Sequence, residues 1–400
     1  MIKEVSIENF KCFKNEEIFH FSKLNLLTGI NGRGKSSLLQ SLLLISQTFI
    51  KQKSAEQLVL NGEWVELGTF DDIKNDSGNN HKDIISFRFK TDDIDDQNDV
   101  CFQYVETEES ERIASIFSLI VNGEEKFTES TVATNQEADS ALQQSQQNKY
   151  LLPLDSVKLI SQFYRFHYVA ADRLGPVEYV KKNDNPESLK VGIRGENLVN
   201  VLAYNEKRQV EKGLYRNGEK TLKGQIVEWL GYILDGANVE IKGRKEKEIS
   251  ILRFLLNSQQ NGKFYKPANV GFGYSYILPI IATGLVAKSG DVFIVENPEA
   301  HLHPRAQSRL TEFFAHLAVI GVQVFIESHS EHILNGLIIN ALKPEINISH
   351  NDISIYYFDE VFKPEQLLVD TKGKIDNWPN GFFDQQEIDL AQIFKYGRSL

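Results

Sequence analysis

The sequence is poor in cysteine, with only Cys12 and Cys101 among its 400 residues. Two isolated cysteines cannot build the disulfide framework of a small secreted domain, and they cannot form a cysteine-rich metal site. This usage is typical of proteins that work in a reducing compartment. The sequence therefore predicts a cytoplasmic location.

Long hydrophobic runs are also missing. No apolar stretch approaches the roughly 20 residues that a membrane-spanning helix requires. The amino-terminal segment MIKEVSIENFKCF carries acidic residues and has no apolar stretch, unlike a secretory signal peptide. We therefore expect no membrane among the partners of this protein.

An overall excess of basic charge is absent as well, because the net charge of the chain is −11. This charge excludes a uniformly basic coat for nucleic acid. Residues 176–266 differ from the average, with 17 Lys and Arg against 12 Asp and Glu. They could meet nucleic acid or another acidic partner, and a solvated helical surface rich in lysine explains the same counts equally well.

Three regions are distinguishable along the chain. Residues 1–175 contain short segments of alternating polarity, which predict strands, and one strongly helical stretch after Gly34. Residues 176–266 are polar, with helical spacing but no sustained heptad, and we predict an inserted, mainly helical region that is not a coiled coil. Residues 267–400 alternate strand and helix patterns, which favours a parallel sheet covered by helices.

The predicted fold class is therefore α/β, with a mixed or parallel core sheet, an antiparallel β subdomain and the inserted helical region. Residues 128–149 are rich in Ser, Thr and Gln and have few large apolar side chains. We expect these residues to form a loop or linker.

One segment, GINGRGKS, fits the phosphate-binding pattern G-x-x-x-x-G-K-[ST]. Glycines let backbone N–H groups approach phosphates, and the helix that follows adds the positive end of its dipole. Lys35 would supply a charge for the β- and γ-phosphates, and the Ser36 hydroxyl would ligate Mg²⁺. The predicted ATP-binding residues of this phosphate loop are Gly29, Asn31, Gly32, Arg33, Gly34, Lys35, Ser36 and Ser37.

A phosphate loop of this kind needs a carboxylate on a neighbouring strand to hold Mg²⁺. The segment DVFIVENPEAHLHP places Glu296 at the end of a predicted apolar strand, with Asn297 and Glu299 close behind it. The segment QVFIESHSEHIL places His329 just after another apolar strand. Both strands therefore end in polar residues that could meet the phosphate loop.

Together these motifs resemble the ABC/SMC-type ATPases related to the OLD and RecF proteins. The resemblance covers IENFKCF and the phosphate loop at the front of the chain, and ENPEAHLHP and ESHSEHIL at the back. The stretch WPNGFFDQ is similar to a C-terminal signature of a bacterial group of AAA-type ATPases. The resemblance implies an ABC-type ATPase head that binds ATP and Mg²⁺ and dimerises, so that two heads enclose two ATP molecules.

The resemblance also implies roles for single residues. The acidic residue that holds Mg²⁺ in the family falls at Glu296, and the switch histidine falls at His329. The catalytic glutamate falls at Asn297, whose amide cannot accept a proton as a general base. Glu299 could take that role, or its charge could simply favour the start of the following helix.

In this family a signature segment reaches across to the nucleotide of the other head. It falls in NVGFGYSY, and it implies nucleotide contacts from Gly271, Gly273 and Ser275, with Gly271 standing where serine is usual. The family's glutamine loop is expected within residues 61–73. Arg173, in AADRLGP, could either reach a phosphate or brace the core.

About 65 residues follow SHSEHIL, which are too few for the TOPRIM nuclease domain of many OLD relatives. The resemblance therefore implies a stand-alone ATPase that senses or scaffolds beside a separate effector, such as a nuclease, in antiphage defence. Two alternatives stay open. One is a RecF-like ATPase that acts on DNA through residues 176–266, and the other is an ATP-gated scaffold that hydrolyses very slowly because of Asn297.

Overall fold

The computed structural model describes residues 1–76, 83–91, 99–107, 110–128, 158–177, 179–181, 189–244, 249–256, 262–379 and 381–397. Nearly all of the Ser/Thr/Gln-rich stretch that is predicted as a loop therefore lies outside the described residues. None of the helices in the described part of the chain has the length and hydrophobicity that a membrane crossing demands.

The strands of the described ranges are β1 Ile2–Glu8, β2 Glu17–His20, β3 Leu24–Gly29, β4 Gln57–Leu58, β5 Ile85–Thr91, β6 Asp99–Thr107, β7 Ser110–Val121, β8 Glu124–Thr128, β9 Phe166–Val169, β10 Tyr179–Lys181, β11 Asn238–Arg244, β12 Ile249–Leu255, β13 Val292–Glu296, β14 Gln323–Glu327, β15 Ile353–Phe358 and β16 Pro364–Leu367. The α-helices are α1 Lys35–Gln52, α2 Phe70–Ile73, α3 Lys158–Phe163, α4 Leu198–Asn205, α5 Leu222–Ile233, α6 Phe272–Val286, α7 Pro304–Val319, α8 Glu331–Leu342 and α9 Gln385–Gly397. Short 3₁₀ turns are Lys212–Leu214, Pro267–Asn269 and His350–Asp352.

The core sheet has the strand order β16-β15-β3-β14-β13-β9. Its pairs are parallel except for β16, which runs antiparallel to β15. Strands β13, β14 and β15 read VFIVE, QVFIE and ISIYYF and are almost wholly buried. Near-continuous apolar strands of this kind are expected where helices or another sheet cover both faces of a parallel sheet.

The two faces of the core sheet are covered differently. On one face, α1 packs between the core sheet and an antiparallel sheet of order β2-β1-β5-β6-β7-β4, with β8 beside β7. On the other face, α6, α7 and α8 form a second hydrophobic core with the opposite side of the same strands. The α/β fold with a mixed core sheet and an antiparallel β subdomain, predicted from the sequence, is confirmed.

The region 176–266 is less helical than predicted. It contains α4 and α5, but also an antiparallel sheet of order β10-β12-β11. Trp229 of α5 is buried against Phe313 of α7, with ring centroids 5.0 Å apart. The region therefore packs on the C-terminal helices through apolar contacts, and its polar composition did not indicate the three strands, of which β12 is mostly buried.

Candidate nucleotide site

The phosphate loop lies between the end of β3 and the start of α1. Gly34 caps α1 with φ of 111°, a left-handed conformation that only glycine adopts freely. A Cβ atom there would also stand 2.9 Å from Cys12 Sγ and 3.1 Å from the ring of Phe13. Two independent constraints, backbone angle and crowding, thus require glycine at the position that the motif predicts.

Lys35 is buried at the centre of this loop, with 3% of its surface exposed. Its Nζ donates hydrogen bonds to the backbone carbonyl oxygens of Gly29, at 2.9 Å, and Ile30, at 2.7 Å. Burial lowers the pKa of the Lys35 ammonium, and the neighbouring Glu327 carboxylate acts in the opposite direction. The loop therefore wraps around its own lysine in this structure.

The other phosphate-loop side chains are more open. Asn31, Gly32 and Ser36 are exposed, whereas Ser37 is half-buried. The Arg33 guanidinium lies 4.4 Å from the centroid of the Phe362 ring, and Phe362 belongs to the loop after β15. Backbone and hydroxyl groups of the loop are thus accessible to a ligand from the carboxyl edge of the core sheet.

Ser36 does not face Glu296 but Glu327, the last residue of β14. Its Oγ donates a hydrogen bond to Glu327 Oε1 at 3.0 Å. Glu327 is 7% exposed, and its Oε2 has no hydrogen-bond partner among the described residues. Burial, reinforced by the charge of Glu296, raises the pKa of Glu327 to about 7.

Glu327 is the functional candidate that the sequence analysis missed. The residue stands in QVFIESHS, at the end of an apolar strand and two residues before His329. A carboxylate after four strand residues in such a position matches the pattern that singled out Glu296. The position of Glu327 at the end of an apolar strand could therefore have identified it from the sequence. The family resemblance assigned a role in this segment to His329 only.

Glu296 lies beside Glu327, because the two residues are register partners in the parallel pair of β13 and β14. Its Oε1 accepts a hydrogen bond from the Tyr168 hydroxyl at 3.0 Å, and its Oε2 accepts one from the Ala171 N–H at 3.3 Å. Burial raises the pKa of Glu296 as well, against the effect of the Tyr168 hydrogen bond. Glu296 is therefore turned toward β9, away from the phosphate loop.

Asn297 follows with φ of 43°, a left-handed conformation that asparagine tolerates. Its N–H donates to the Glu327 carbonyl at 2.8 Å, and its own carbonyl accepts from Arg173 Nη2 at 2.7 Å. Its Oδ1 is buried and lacks a partner within the described ranges. The side-chain amide is thus available to hold a ligand, and it still cannot act as a base.

Arg173 braces the loop that carries Asn297. The side chain is 2% exposed, and its Nη1 donates to the carbonyls of Ala170, at 3.0 Å, and Glu296, at 2.7 Å. Burial lowers the pKa of Arg173 to about 10. Of the two interpretations that the sequence left open, the structure supports a core brace over a phosphate contact.

Glu299 is occupied by the segment that carries the switch histidine. Its Oε2 accepts from the Ser328 hydroxyl and its Oε1 accepts from the His329 N–H, both at 2.8 Å. The helix α7 begins only at Pro304, so Glu299 does not charge its first turn, and that alternative is wrong. Glu299 instead ties the end of β13 to the end of β14.

The His329 side chain is exposed beside the phosphate loop. Partial burial of the ring and the nearby Lys35 ammonium lower the pKa of His329, against the opposing effects of Glu299 and the Gly29 carbonyl. This shift favours the neutral imidazole, and a neutral ring can donate one hydrogen bond to a phosphate oxygen.

The signature segment forms the start of α6. Gly271 is the N-terminal cap of this helix, and a Cβ atom on Gly273 would stand 2.6 Å from the His301 carbonyl oxygen. Phe272, between them, is 52% exposed. Gly273 therefore allows α6 to pack against the loop that follows Glu296, and the helix start remains open.

Ser275 is not exposed at the start of α6, where its predicted contact with a nucleotide would require it. Its side chain is 6% exposed, and its Oγ is buried without a hydrogen-bond partner in the part of the chain that is described. Ser275 lies on the buried side of α6, together with Gly273, Ile277 and Leu278.

The segment 61–73, where a glutamine loop is expected, contains no glutamine. It ends in α2, and the Lys11 N–H donates to the Ile73 carbonyl at 2.7 Å. Lys11 precedes Cys12, which lies under Gly34. The segment thus reaches the neighbourhood of the phosphate loop through residues 11–13.

The donor groups fit Mg²⁺ only together with a phosphate ligand. Within the described residues, no group of three or more His, Cys, Asp or Glu side chains could hold a metal ion. The site offers one hydroxyl, from Ser36, and two neighbouring carboxylates, from Glu296 and Glu327. Magnesium sites in nucleotide-binding proteins commonly have one or two protein carboxylates and take further oxygens from phosphates and water.

Two family profiles and one bacterial protein match parts of this chain. A profile of the AAA ATPase domain family matches residues 1–334, and a second profile, described as a protein of unknown function (DUF3696), matches residues 348–393. An ATP/GTP phosphatase of Helicobacter pylori (strain ATCC 700392 / 26695) is 57% identical over 42 residues. That match covers 10% of this chain and 11% of the phosphatase, so the chain spans about a tenth of the length of this relative.

Among solved structures, an SMC head domain from Thermotoga maritima has a TM-score of 0.44 at 9% identity, covering 92% of this chain and 99% of that domain. An SMC head bound to the C-winged helix domain of ScpA has a TM-score of 0.49 at 11% identity, covering 95% and 98%. These are distant similarities in shape. The profile over residues 1–334 spans most of the chain and contains the phosphate loop, Glu296 and His329. The chain belongs to the AAA ATPase domain family.

Proposed function

We propose that this protein binds ATP with Mg²⁺ and hydrolyses it as an ABC/SMC-type ATPase. The observation that supports the proposal most is the meeting of Lys35 and Ser36 with Glu327 at the carboxyl edge of a parallel sheet. Nucleotide sites of open α/β sheets form at this edge. The strand order, with β14 between the phosphate-loop strand and β13, brings Glu296 to the same place.

Binding of ATP would exchange internal contacts for contacts with phosphates. Lys35 now bonds to the Gly29 and Ile30 carbonyls, and it would turn to the β- and γ-phosphates. Ser36 would release Glu327 and offer its oxygen to the cation. Mg²⁺, when bound, would neutralise charge on the phosphate oxygens, and Ser36 with the two carboxylates would hold it.

Turnover is expected to be slow. The position of the family's catalytic glutamate is occupied by Asn297, and both oxygens of Glu299 already accept hydrogen bonds from the His329 segment. Asn297 can orient a water molecule through its Oδ1, which has no hydrogen-bond partner among the described residues, but it cannot take a proton from that water. His329 would contribute a hydrogen bond to the γ-phosphate rather than a charge.

We further propose that two copies close over the nucleotides. The start of α6, with Gly271 and the exposed Phe272, would meet the phosphate loop of the second copy, whose Asn31 and Gly32 are exposed. An open helix N-terminus favours negatively charged groups such as phosphates. In this arrangement neither copy would have a complete site by itself.

A separate effector protein, in antiphage defence, is the proposed target of the ATP-driven change. The C-terminal helix α9 has no buried residue, and it exposes Ile388, Leu390, Ile393, Phe394 and Tyr396. Large apolar side chains clustered on an exposed helix are typical of a protein-binding surface. An effector with an apolar groove would cover this helix, and the ATPase would control it.

The test compares phosphate release by wild type, Lys35→Ala and Lys51→Ala. Lys51 lies in the last turn of the same helix and is exposed, so it is a matched control. We expect Lys35→Ala to lose activity at least about 100-fold, since a charged contact to phosphate is lost. Equal phosphate release by all three proteins would contradict an ATPase site at this loop.

One alternative is a scaffold that ATP closes without appreciable hydrolysis, and Asn297 is the residue that favours it. Sedimentation of wild type with ATP and Mg²⁺ would then show a dimer that persists for hours. Replacement of Asn297 with Glu would restore a base and should speed phosphate release if only the base is missing. Unchanged release in that variant would favour the scaffold.

A second alternative is direct action on DNA. The exposed side chains of Lys207, Arg208, Lys212 and Lys220 support it, although glutamates are interspersed among them. Binding through phosphates would weaken steeply with added salt. The absence of any DNA shift at low salt with ATP present would exclude this alternative, while Lys207→Glu and Arg208→Glu should weaken a genuine complex.

A further inference from the structure

We infer that Glu327 is a direct ligand of the divalent cation in this site, sharing it with Ser36. The inference rests on the proposed function, because the nucleotide must supply the remaining oxygens. It differs from the expectation drawn from the family pattern, in which Glu296 on β13 is the residue that holds the cation.

The first argument is the position of the Glu327 carboxylate. One oxygen lies 3.0 Å from Ser36 Oγ, the hydroxyl that ligates the cation in phosphate loops of this type. The other oxygen is buried without a partner among the described residues, although the side chain is 7% exposed. A buried carboxylate oxygen without a donor is costly unless a ligand satisfies it.

The second argument is the orientation of Glu296. Both of its oxygens already accept hydrogen bonds, from the Tyr168 hydroxyl and the Ala171 N–H. Its strand is separated from the phosphate-loop strand β3 by β14, which carries Glu327. Glu327 therefore stands nearer to Ser36 along the sheet, and Glu296 lies one strand further from Ser36.

The third argument concerns charge. Glu296 and Glu327 are register partners on adjacent strands; Glu327 is buried and Glu296 is half-buried. Lys35, a nearby cation, is directed at the Gly29 and Ile30 carbonyls and is expected to move to the phosphates when ATP binds. A divalent cation at Ser36 would then balance the two carboxylates.

The test separates cation binding from nucleotide binding. Manganese binding is measured by electron paramagnetic resonance with the non-hydrolysable analogue AMP-PNP, and AMP-PNP affinity is measured by calorimetry in EDTA. The variants are Glu327→Gln, Glu296→Gln and Glu331→Gln. Glu331, in the first turn of α8, is the matched control for a carboxylate close by in the sequence.

In Glu327→Gln we expect Mn²⁺ affinity to fall at least tenfold and AMP-PNP affinity in EDTA to stay within twofold of wild type. Glu296→Gln should reduce Mn²⁺ affinity less, and Glu331→Gln should not change it. Glu327→Asp, which keeps the charge on a shorter arm, should give an intermediate Mn²⁺ affinity. Retained AMP-PNP binding in EDTA shows that each variant is folded.

Wild-type Mn²⁺ affinity in Glu327→Gln, with a large loss in Glu296→Gln, would overturn this inference and leave the proposed function intact. Failure of wild type to bind AMP-PNP with or without the metal would instead overturn the proposed function, and the inference with it. The two failures are thus distinguishable in one set of titrations.

Discussion

Two buried carboxylates lie near opposite ends of strand β13 and differ in how they are satisfied. Asp291 directly precedes β13, and Glu327 ends the neighbouring strand β14 beside Glu296. At the amino end, Asp291 accepts hydrogen bonds from Arg165 Nε at 2.9 Å and from the Lys288 N–H at 2.8 Å, and its Oδ2 lies 2.9 Å from His167 Nε2. Burial opposes ionisation, but the hydrogen bonds with His167 and Lys288 outweigh it, and the pKa of Asp291 lies below its usual value.

At the carboxyl end, Glu327 beside Glu296 is equally buried, yet Ser36 is its one side-chain donor among the described residues. Its pKa is raised to about 7. The contrast shows that burial alone does not identify a functional carboxylate. The charge of Asp291 is compensated by its partners within the protein. Glu327 has one oxygen without a partner among the described residues and a second carboxylate, Glu296, beside it, which suits a group that binds a ligand.

The largest expected effect is a gain in stability of Glu327→Gln without ligand. The pKa of Glu327 is higher in the folded chain, about 7, than its ordinary 4.5. The stability that Glu327 contributes in its protonated form is therefore fully present below pH 4.5. About 3 kcal/mol of this stability is lost as the pH rises from 4.5 to 7. The glutamine variant should exceed wild type by about that amount at pH 8.

This gain should vanish near pH 4, where Glu327 is protonated in both states. Urea unfolding in EDTA at the two pH values measures it. A variant that is less stable than wild type at pH 8 would show that Glu327 is structural, and the contrast between the two ends of β13 would be lost.

Asp291→Asn should have the opposite effect. The substitution weakens the contacts to Arg165 and His167, and we expect a loss of about 2 kcal/mol in the free energy of unfolding at pH 7. Because the pKa of Asp291 is lowered in the folded state, its contribution is present above the ordinary value of 3.8 and disappears as the pH falls further.

Urea unfolding at pH 7 and pH 3 checks both statements for Asp291→Asn, since the deficit should narrow at the lower pH. ATP affinity, measured by calorimetry, should remain within twofold of wild type. A loss of ATP affinity larger than the loss of stability would mean that the amino end of β13 also serves the nucleotide site.

Ser275→Ala examines a buried polar group that belongs to neither end of β13. The Ser275 hydroxyl lacks a hydrogen-bond partner in the described chain, so its removal should raise stability by about 1 kcal/mol. ATP-driven dimerisation, followed by sedimentation, should be unchanged. Gly271→Ala is the comparison variant in the same sedimentation experiment. Gly271 caps α6 at the open face, and an added Cβ atom would meet nothing within 4 Å. A loss of dimerisation in Ser275→Ala alone would restore the predicted nucleotide contact.

The smallest expected effect is the coupling between the two ends. The double variant Asp291→Asn with Glu327→Gln should show additive changes within about 0.5 kcal/mol, because distant sites without shared partners act independently. Glu296→Gln with Glu327→Gln should deviate more, since these carboxylates are neighbours. A double-mutant cycle of unfolding free energies measures both. Strong coupling between Asp291 and Glu327 would mean that β13 transmits strain along its length.

Local patterns predicted the strand character of β13 to β15 and the helix α1, because each depends on a short run of neighbouring side chains. The strands β10 to β12 were missed. In NVEIKGR the alternation of Val239 and Ile241 with polar residues is a strand pattern, but the charged residues around it resemble a solvated helix. Ser275 was misplaced because the face of α6 that is buried depends on packing against α7 and the core sheet.

The sequence by itself determined the phosphate loop, since glycine, lysine and serine requirements all lie within eight consecutive residues. Only the tertiary structure decided which carboxylate faces Ser36. Glu327 is 291 residues away along the chain, and it reaches Ser36 because β14 is inserted between β3 and β13 in the core sheet. Strand order depends on how whole helices and sheets pack, and no short segment of sequence contains that information.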